Sequence, residues 1–335
     1  MQDENLKSHG LYLGKFAPLH LGHEYMIKEA LKIVEKLTVF IYEAPGLTEI
    51  QLSRRADWIR ALYPNVEVIE CGDGPTEVSY EPSGMLEHEQ YVIKKLGERK
   101  ITHFFSSEPY GEHMSIALGA ADVRIDQGRQ SFPVSATQIR DDLYEHRKFL
   151  SPSVYFDHLT TVVLLGAPST GKSTLTEKLA EHFKTTHMPE YGREYWEVNN
   201  IQRRLTPEQL LEIAVTHRER ELAQAYEANN YFFIDTNAIT TEIFSQYYHG
   251  DALPGLRELS NQTKERYDLV ILCGDDIPYD DTEDRSGEAN RSDFQKATID
   301  ELNKRGIKYY EVTGSIQQRI TEVSRILETM TKGKA

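Results

Sequence analysis

The sequence predicts an α/β protein built as two tandem parallel-sheet domains, and three observations predict it. Short apolar runs alternate with helical windows along both halves of the chain, the pattern of parallel strands wrapped by helices. The alternation restarts after a Ser-Pro-Ser segment around Pro152. A length of 335 residues, at about 150 per domain, suits two such units. The expected division is residues 1–152 and 153–335.

In the first half, Leu11–Phe16 reads as a buried first strand, followed by a helix over Leu21–Leu37 and a second strand over Thr38–Tyr42. Pro45-Gly46 breaks the chain before a helical stretch ending near Tyr63-Pro64. Val66–Ile69 and Ile101–Phe105 are the next strands, with a helical window over Leu86–Leu96 between them. In the second half, strands are expected at Thr161–Leu165, Thr185–Met188, Tyr231–Asp235, Asp268–Cys273 and Lys308–Val312. Thr206-Pro-Glu-Gln209 is a capping box with proline at the first helical position, opening a long helix to about Ala228. The stretch Phe149–Val154 has no period and reads as a turn-forming connector.

Composition narrows the function. With 39% hydrophobic and 27% charged residues the chain matches a globular average. It has no run of about 18 apolar residues, so no membrane span is expected. The polar start Met1-Gln-Asp-Glu-Asn5 lacks the basic and apolar regions of a secretory signal, and two distant cysteines make no disulfide scaffold. A cytoplasmic protein is expected. Lys+Arg 38 against Asp+Glu 53 leaves a net charge of −15, and the densest charge run, Asp275 to Asp284, is acidic. Both argue against a nucleic-acid partner.

Gly166-Ala167-Pro168-Ser169-Thr170-Gly171-Lys172-Ser173 fits the phosphate-loop pattern G-x-x-x-x-G-K-[ST], with Thr174 behind it. An apolar strand precedes it and a helix follows, which favours a phosphate cradle over an ordinary Gly-rich turn. Backbone N–H groups would face phosphate oxygens of ATP, Lys172 the β and γ phosphates, and the Ser173 hydroxyl Mg²⁺. Asp235, closing the strand Tyr231–Asp235, is placed to share the metal, or else merely starts a turn. Glu190 follows the second strand of this half, where a carboxylate could accept a hydroxyl proton; Glu190 and Asp235 both stay open as the base. Around it Tyr191, Arg193, Tyr195 and Trp196 offer stacking faces and a cation for a substrate, or core packing. Arg285 and Arg291 lie in a polar loop that either closes over ATP or is a solvated acidic loop.

In the first half, Gly14-Lys15-Phe16-Ala-Pro-Leu-His20-Leu-Gly22-His23 carries H-x-G-H between a strand and a helix. Two imidazoles three apart at a helix start suit a triphosphate attacked at its α-phosphorus, with Gly22 letting the nucleotide approach. The competing readings are satisfied structural histidines, and a zinc site needing His88, His103 or His113 as third ligand. Ser135-Ala-Thr137-Gln-Ile-Arg140 adds hydroxyls and a cation at another helix start, a second anion site, with Arg129 upstream of it.

Together G-K-F-x-P-x-H-x-G-H and S-x-T-x-I-R resemble the nucleotidyltransferase superfamily. Order and detail resemble most the bifunctional NadR-type proteins, a nicotinamide mononucleotide (NMN) adenylyltransferase followed by a ribosylnicotinamide kinase. Ser106–Gly111, Arg129–Arg140, the phosphate loop and Pro189–Tyr195 also match, from residue 10 to about 295. The resemblance implies a Rossmann-like nucleotidyltransferase domain and a P-loop kinase domain. It implies Mg-ATP phosphorylation of nicotinamide riboside to NMN, then adenylylation of NMN by a second ATP to NAD and pyrophosphate. It also implies substrate contacts at Trp58, which could equally be core, at Arg54 or Arg55, and at Tyr110. A homo-oligomer and a functional link to a riboside transporter are expected on the same ground. Longer members carry a leading helix-turn-helix domain, for which the residues before the first strand leave no room. The rivals are a phosphopantetheine adenylyltransferase joined to a dephospho-coenzyme A kinase, and a nucleotide sensor controlling a transporter.

Overall fold

A computed structural model describes residues 7–76, 79, 81–107, 111–200, 204–279 and 291–332. The chain forms two compact units, Met1–Val154 and Tyr155–Ala335. Each unit has a five-stranded, wholly parallel sheet.

The first unit contains β1 (His9–Gly14), β2 (Lys36–Tyr42), β3 (Glu67–Cys71), β4 (His103–Ser106) and β5 (Ala121–Arg124), in the order β3-β2-β1-β4-β5. The order reverses beside β1, so the C-terminal ends of β1 and β4 open a crevice, where parallel α/β sheets bind ligands. Leu11, Phe40, Phe104 and Met114 fill the core on one face with the helices Pro82–Leu96 and Gly111–Leu118. Burying a side chain such as Leu11 contributes about 1.5–3 kcal/mol.

The second unit contains β6 (Thr160–Leu165), β7 (His187–Met188), β8 (Tyr231–Asp235), β9 (Leu269–Cys273) and β10 (Tyr310–Val312), in the order β10-β9-β6-β8-β7. β6 is central and buried on both faces, which explains its unbroken run of apolar residues. Val162, Leu164, Phe233 and Ile271 pack against the helices Lys172–Phe183 and Ile316–Lys332. A separate cluster of Leu205, Leu210, Ile213, Ala238 and Leu256 lies around the helix Pro207–Ala225, whose Thr206–Gln209 capping box is formed.

Several expected boundaries shift for visible reasons. The first helix ends at Ile33 rather than Leu37, because Val34 turns extended and the Glu35 and Lys36 N–H groups bond to Ser8 O. β7 shrinks to two residues because the Thr185 side chain bonds to Tyr231 O and takes the Asn229 N–H. β5 has no apolar run because it is a four-residue edge strand with two exposed residues. The connector expected as a turn is instead helical, a short 3₁₀ turn over Arg147–Phe149 and a helix over Pro152–Phe156 that proline opens. No helix among the described residues is long and apolar enough to cross a membrane. Cys71 and Cys273 are buried free thiols.

Candidate active sites

In the first unit the chain leaves β1 at Gly14 and passes Phe16, whose φ of 47° is left-handed, before His20 caps the helix Leu21–Ile33. His20 Nδ1 accepts from Gly22 N–H at 3.1 Å, and His23 Nδ1 accepts from His20 N–H at 3.3 Å. This is a reciprocal capping box in which imidazoles replace the usual hydroxyl and carboxylate. Because each Nδ1 accepts, the ring hydrogen of each neutral imidazole sits on Nε2. The rings stack with centroids 3.7 Å apart, and the edge of Phe16 meets His23 at 5.0 Å. Burial, then the Arg129 charge, pushes His20 down to about 4. Burial, His20 and Arg129 hold His23 well below the usual histidine range. Both rings are therefore neutral donors near pH 7.

A cleft of ≈ 1810 Å³ opens at the ends of β1 and β4, lined by Gly14, Lys15, His20, His23, Ser106, Arg129 and Thr137. Phe16, 1% exposed, packs behind His23 and not in the cleft. Ser135 caps the helix Ala136–Asp141 in a box with Gln138, and Arg140 donates to Ala17 O and Thr137 Oγ1. These two hold the loop rather than line the cleft. Gly22 lines the cleft, and a Cβ there would come within 3.0 Å of the His20 ring, so the glycine also makes room for the imidazole.

The helix Leu52–Leu62 corrects three expectations. Trp58 is 3% exposed and lies outside the cleft, so its ring faces the core instead of a ligand. Arg55 is buried and donates to Ile50 O, Lys15 O and Tyr42 O beside Glu43. It ties loop carbonyls together rather than meeting phosphate. Arg54 is exposed and away from the cleft. Tyr110 lies outside the described residues. His88, weighed in the sequence only as a zinc ligand, lines the cleft and pairs with Tyr42 Oη at 3.0 Å. Among the described residues no three His, Cys, Asp or Glu converge as metal ligands.

In the second unit the loop from Gly166 to Ser173 joins β6 to the helix Lys172–Phe183. Gly166 has φ 140°, and a Cβ there would sit 2.7 Å from Cys273 O, so no other residue fits. Three distant side chains pin the loop from outside. Gln295 accepts from Ala167 N–H at 2.8 Å and donates to Cys273 O at 3.1 Å. Arg291 donates to Ser169 O at 3.0 Å and Ile277 O at 2.8 Å. Arg319, 2% exposed, donates to Thr170 O at 2.7 Å, to Gly314 O and Gly274 O, and pairs with Asp276. Arg291 was expected to reach a transferring phosphoryl group; its guanidinium instead braces the loop. Arg285 lies outside the described residues.

Inside the loop, Lys172 is buried with Nζ 2.8 Å from Ala167 O. Asp235 ends β8 fully buried, and neither carboxylate oxygen completes a hydrogen bond among the described residues. Burial, then the Glu190 charge, pushes its pKa up to about 7 against the pull of Lys172, the Ser173 hydroxyl and Arg193. An orphaned carboxylate facing a hydroxyl beside the phosphate loop is a hard-oxygen donor set, which fits a divalent cation.

Two pockets meet here. One lies on the phosphate loop and is lined by residues from Gly166 to Thr174. The other is largely apolar, lined by Trp196, Leu205, Ile213, Phe244 and Tyr248 with His217, Thr236 and Asn237. Glu190, Arg193, Thr240 and Phe244 line both. Glu190 precedes the helix Tyr191–Asn199 without capping it, leaving its carboxylate 3.7 Å from Arg193 Nη2. Of the neighbouring aromatics only Trp196 reaches the pocket. The Tyr191 ring is covered by the Arg220 guanidinium at 3.9 Å, and Tyr195 turns inward to bond Glu212 at 2.7 Å.

The chain is thus a Rossmann-like parallel-sheet unit carrying a histidine loop, followed by a parallel-sheet unit of the P-loop type. Residues 161–319 match the family described as AAA domain. The chain is 28% identical over 91% of its length to the "Trifunctional NAD biosynthesis/regulator protein NadR" of Escherichia coli K12, covering 79% of that protein. The NadR of Salmonella typhimurium LT2 matches to the same extent. A solved NadR in complex with NAD and AMP-PNP shares the fold at TM-score 0.54 and 22% identity, over 95% of this chain and 96% of that one. A NadR in complex with NR aligns at TM-score 0.51 and 21% identity, over 92% and 90%. The similarity to these NadR proteins runs along nearly the whole chain.

Proposed function

We propose that the chain makes NAD in two steps, nicotinamide riboside to NMN in the second unit and NMN to NAD in the first. The carrying observation is that Glu190 and Arg193 line both the phosphate-loop pocket and the apolar pocket. A phosphoryl donor in one and a hydroxyl in the other then meet at a single carboxylate. The 5′-oxygen of the riboside attacks the γ-phosphorus of ATP, its proton passes to Glu190, and ADP leaves. Ser173 and Asp235 would hold Mg²⁺, which when bound neutralises charge on the phosphate oxygens. The apolar wall with Trp196 takes the pyridine ring.

In the first unit a phosphate oxygen of NMN attacks the α-phosphorus of ATP and pyrophosphate leaves. The two Nε2–H donors of His20 and His23 stabilise the charge that develops there, and no side chain forms a covalent intermediate. Two buried thiols fit a reducing cytoplasm. Homo-oligomerisation and a riboside transporter as supplier belong to this reading through the NadR likeness alone.

Mass spectrometry of products from nicotinamide riboside plus Mg-ATP tests the proposal. NMN and NAD are expected. Turnover of phosphopantetheine instead, or nucleotide binding without release of pyrophosphate, would replace it with the coenzyme A reading or a sensor.

A further inference from the structure

Asn237 lies two residues beyond Asp235 and caps the helix Ala238–His249, its Oδ1 accepting from Ile239 N–H at 2.9 Å. That bond fixes which way the amide faces, so Nδ2 is the free end and a donor. Asn237 is 3% exposed and lines the apolar pocket, yet among the described residues Nδ2 meets no hydrogen-bond partner. Buried donors in folded proteins are almost always satisfied, and an orphan that lines a pocket calls for an acceptor on a ligand. Polar groups of Glu190, Arg193, His217, Thr236, Asn237, Thr240 and Thr241 share the lining with Trp196 and aliphatic side chains. The reacting hydroxyl belongs beside Glu190 and Thr240, which line the phosphate-loop pocket as well. In a nucleoside the groups nearest a 5′-hydroxyl are those of the sugar, while the base lies farther off.

We infer that Asn237 is a specificity-determining residue whose Nδ2 donates to a secondary hydroxyl of the ribose, so that the kinase unit takes ribosides over their deoxy analogues. The inference rests on the riboside-kinase reading. The test uses the full chain and compares kcat/KM for nicotinamide riboside with its 2′-deoxy and 3′-deoxy analogues. Asn237→Ser keeps a capping oxygen and removes the donor; Asn237→Ala removes both.

The wild type should lose about 10- to 100-fold on one deoxy analogue. Asn237→Ser should lose a similar factor on the riboside and nothing further on that analogue. The inference is overturned if Asn237→Ser matches wild type on the riboside, or if its loss multiplies with that of both analogues. Loss that instead tracks removal of the pyridine carboxamide overturns the assignment to ribose. A wild type that binds ATP and phosphorylates no riboside overturns the kinase reading itself, and this inference with it.

Discussion

Glu190 and Asp235 are two carboxylates set against each other at the inner end of the phosphate loop, and the charge of the first helps keep the second protonated up to about pH 7. Burial is the larger cause, and the two together assign different work to the pair. Glu190, which lines both pockets, is positioned to take a proton; Asp235, buried and drawn on by the Ser173 hydroxyl, is positioned to hold a metal.

This predicts a pH dependence with a definite sign. A carboxyl whose folded pKa is raised binds more protons folded than unfolded, so it costs stability as pH rises from about 4 to about 7 and no more beyond. Asp235→Asn should therefore raise the melting temperature of the metal-free protein at pH 8 and leave it nearly unchanged at pH 4. Calorimetry at the two pH values, with chelator present, checks it. Equal shifts at both would show that Asp235 is not protonated in the fold.

Glu190→Gln should cut riboside phosphorylation by about 10² or more with ATP affinity nearly kept. Asp235→Asn should raise the Mg²⁺ concentration needed for half-maximal rate. If Asp235→Asn removed turnover at every Mg²⁺ concentration while Glu190→Gln did nothing, the roles would be reversed.

The histidine pair should stay neutral, with hydrogen on Nε2, throughout the physiological range. Long-range ¹⁵N–¹H correlation spectra of the two rings should show that tautomer at pH 6, with His20 titrating only near pH 4. A folded-state pKa depressed in this way contributes stability above about pH 6.5 that is lost as pH falls toward 4. An imidazolium signal from either ring at pH 6 would contradict the capping geometry.

The two activities should separate. His23→Ala removes one donor from the first unit and should cost adenylyl transfer about 10²–10³. It also breaks half of the capping box, worth about 1 kcal/mol. Lys172→Ala should collapse the kinase and spare adenylyl transfer from supplied NMN. Fed riboside, the first variant accumulates NMN; the second makes NAD only when NMN is given directly. Loss of both half-reactions in either folded variant would refute two independent sites.

Short contiguous signals are legible in the sequence. His20 to His23, Gly166 to Ser173 and Tyr231 to Asp235 each place strand, turn and helix within ten residues, where local geometry alone determines what meets. What failed was the facing of side chains. Trp58, Tyr191 and Tyr195 lie on helices beside the sites, but helical phase against the core turns them away. Arg55 follows from the resemblance as a phosphate contact and Arg291 from its polar loop as an ATP contact, although a buried guanidinium also satisfies the loose carbonyls of a loop. Gln295, Arg319 and Asn237 gave no signal, since the first two act from more than a hundred residues downstream and the third reads locally as a helix cap.

The grip of Arg319 on Thr170 has a bearing on how the protein is made. The nucleotide loop leaves the ribosome directly after the first strand of the second unit, whereas the arginine that braces it arrives about 150 residues later, on the helix Ile316–Lys332. At roughly 5–20 residues per second, that is a delay on the order of ten seconds or more. During that interval the loop lacks its Arg319 brace. A nascent chain stalled before residue 315 should phosphorylate no riboside while still adenylylating supplied NMN, so kinase competence arrives well after the nucleotide loop itself has been made.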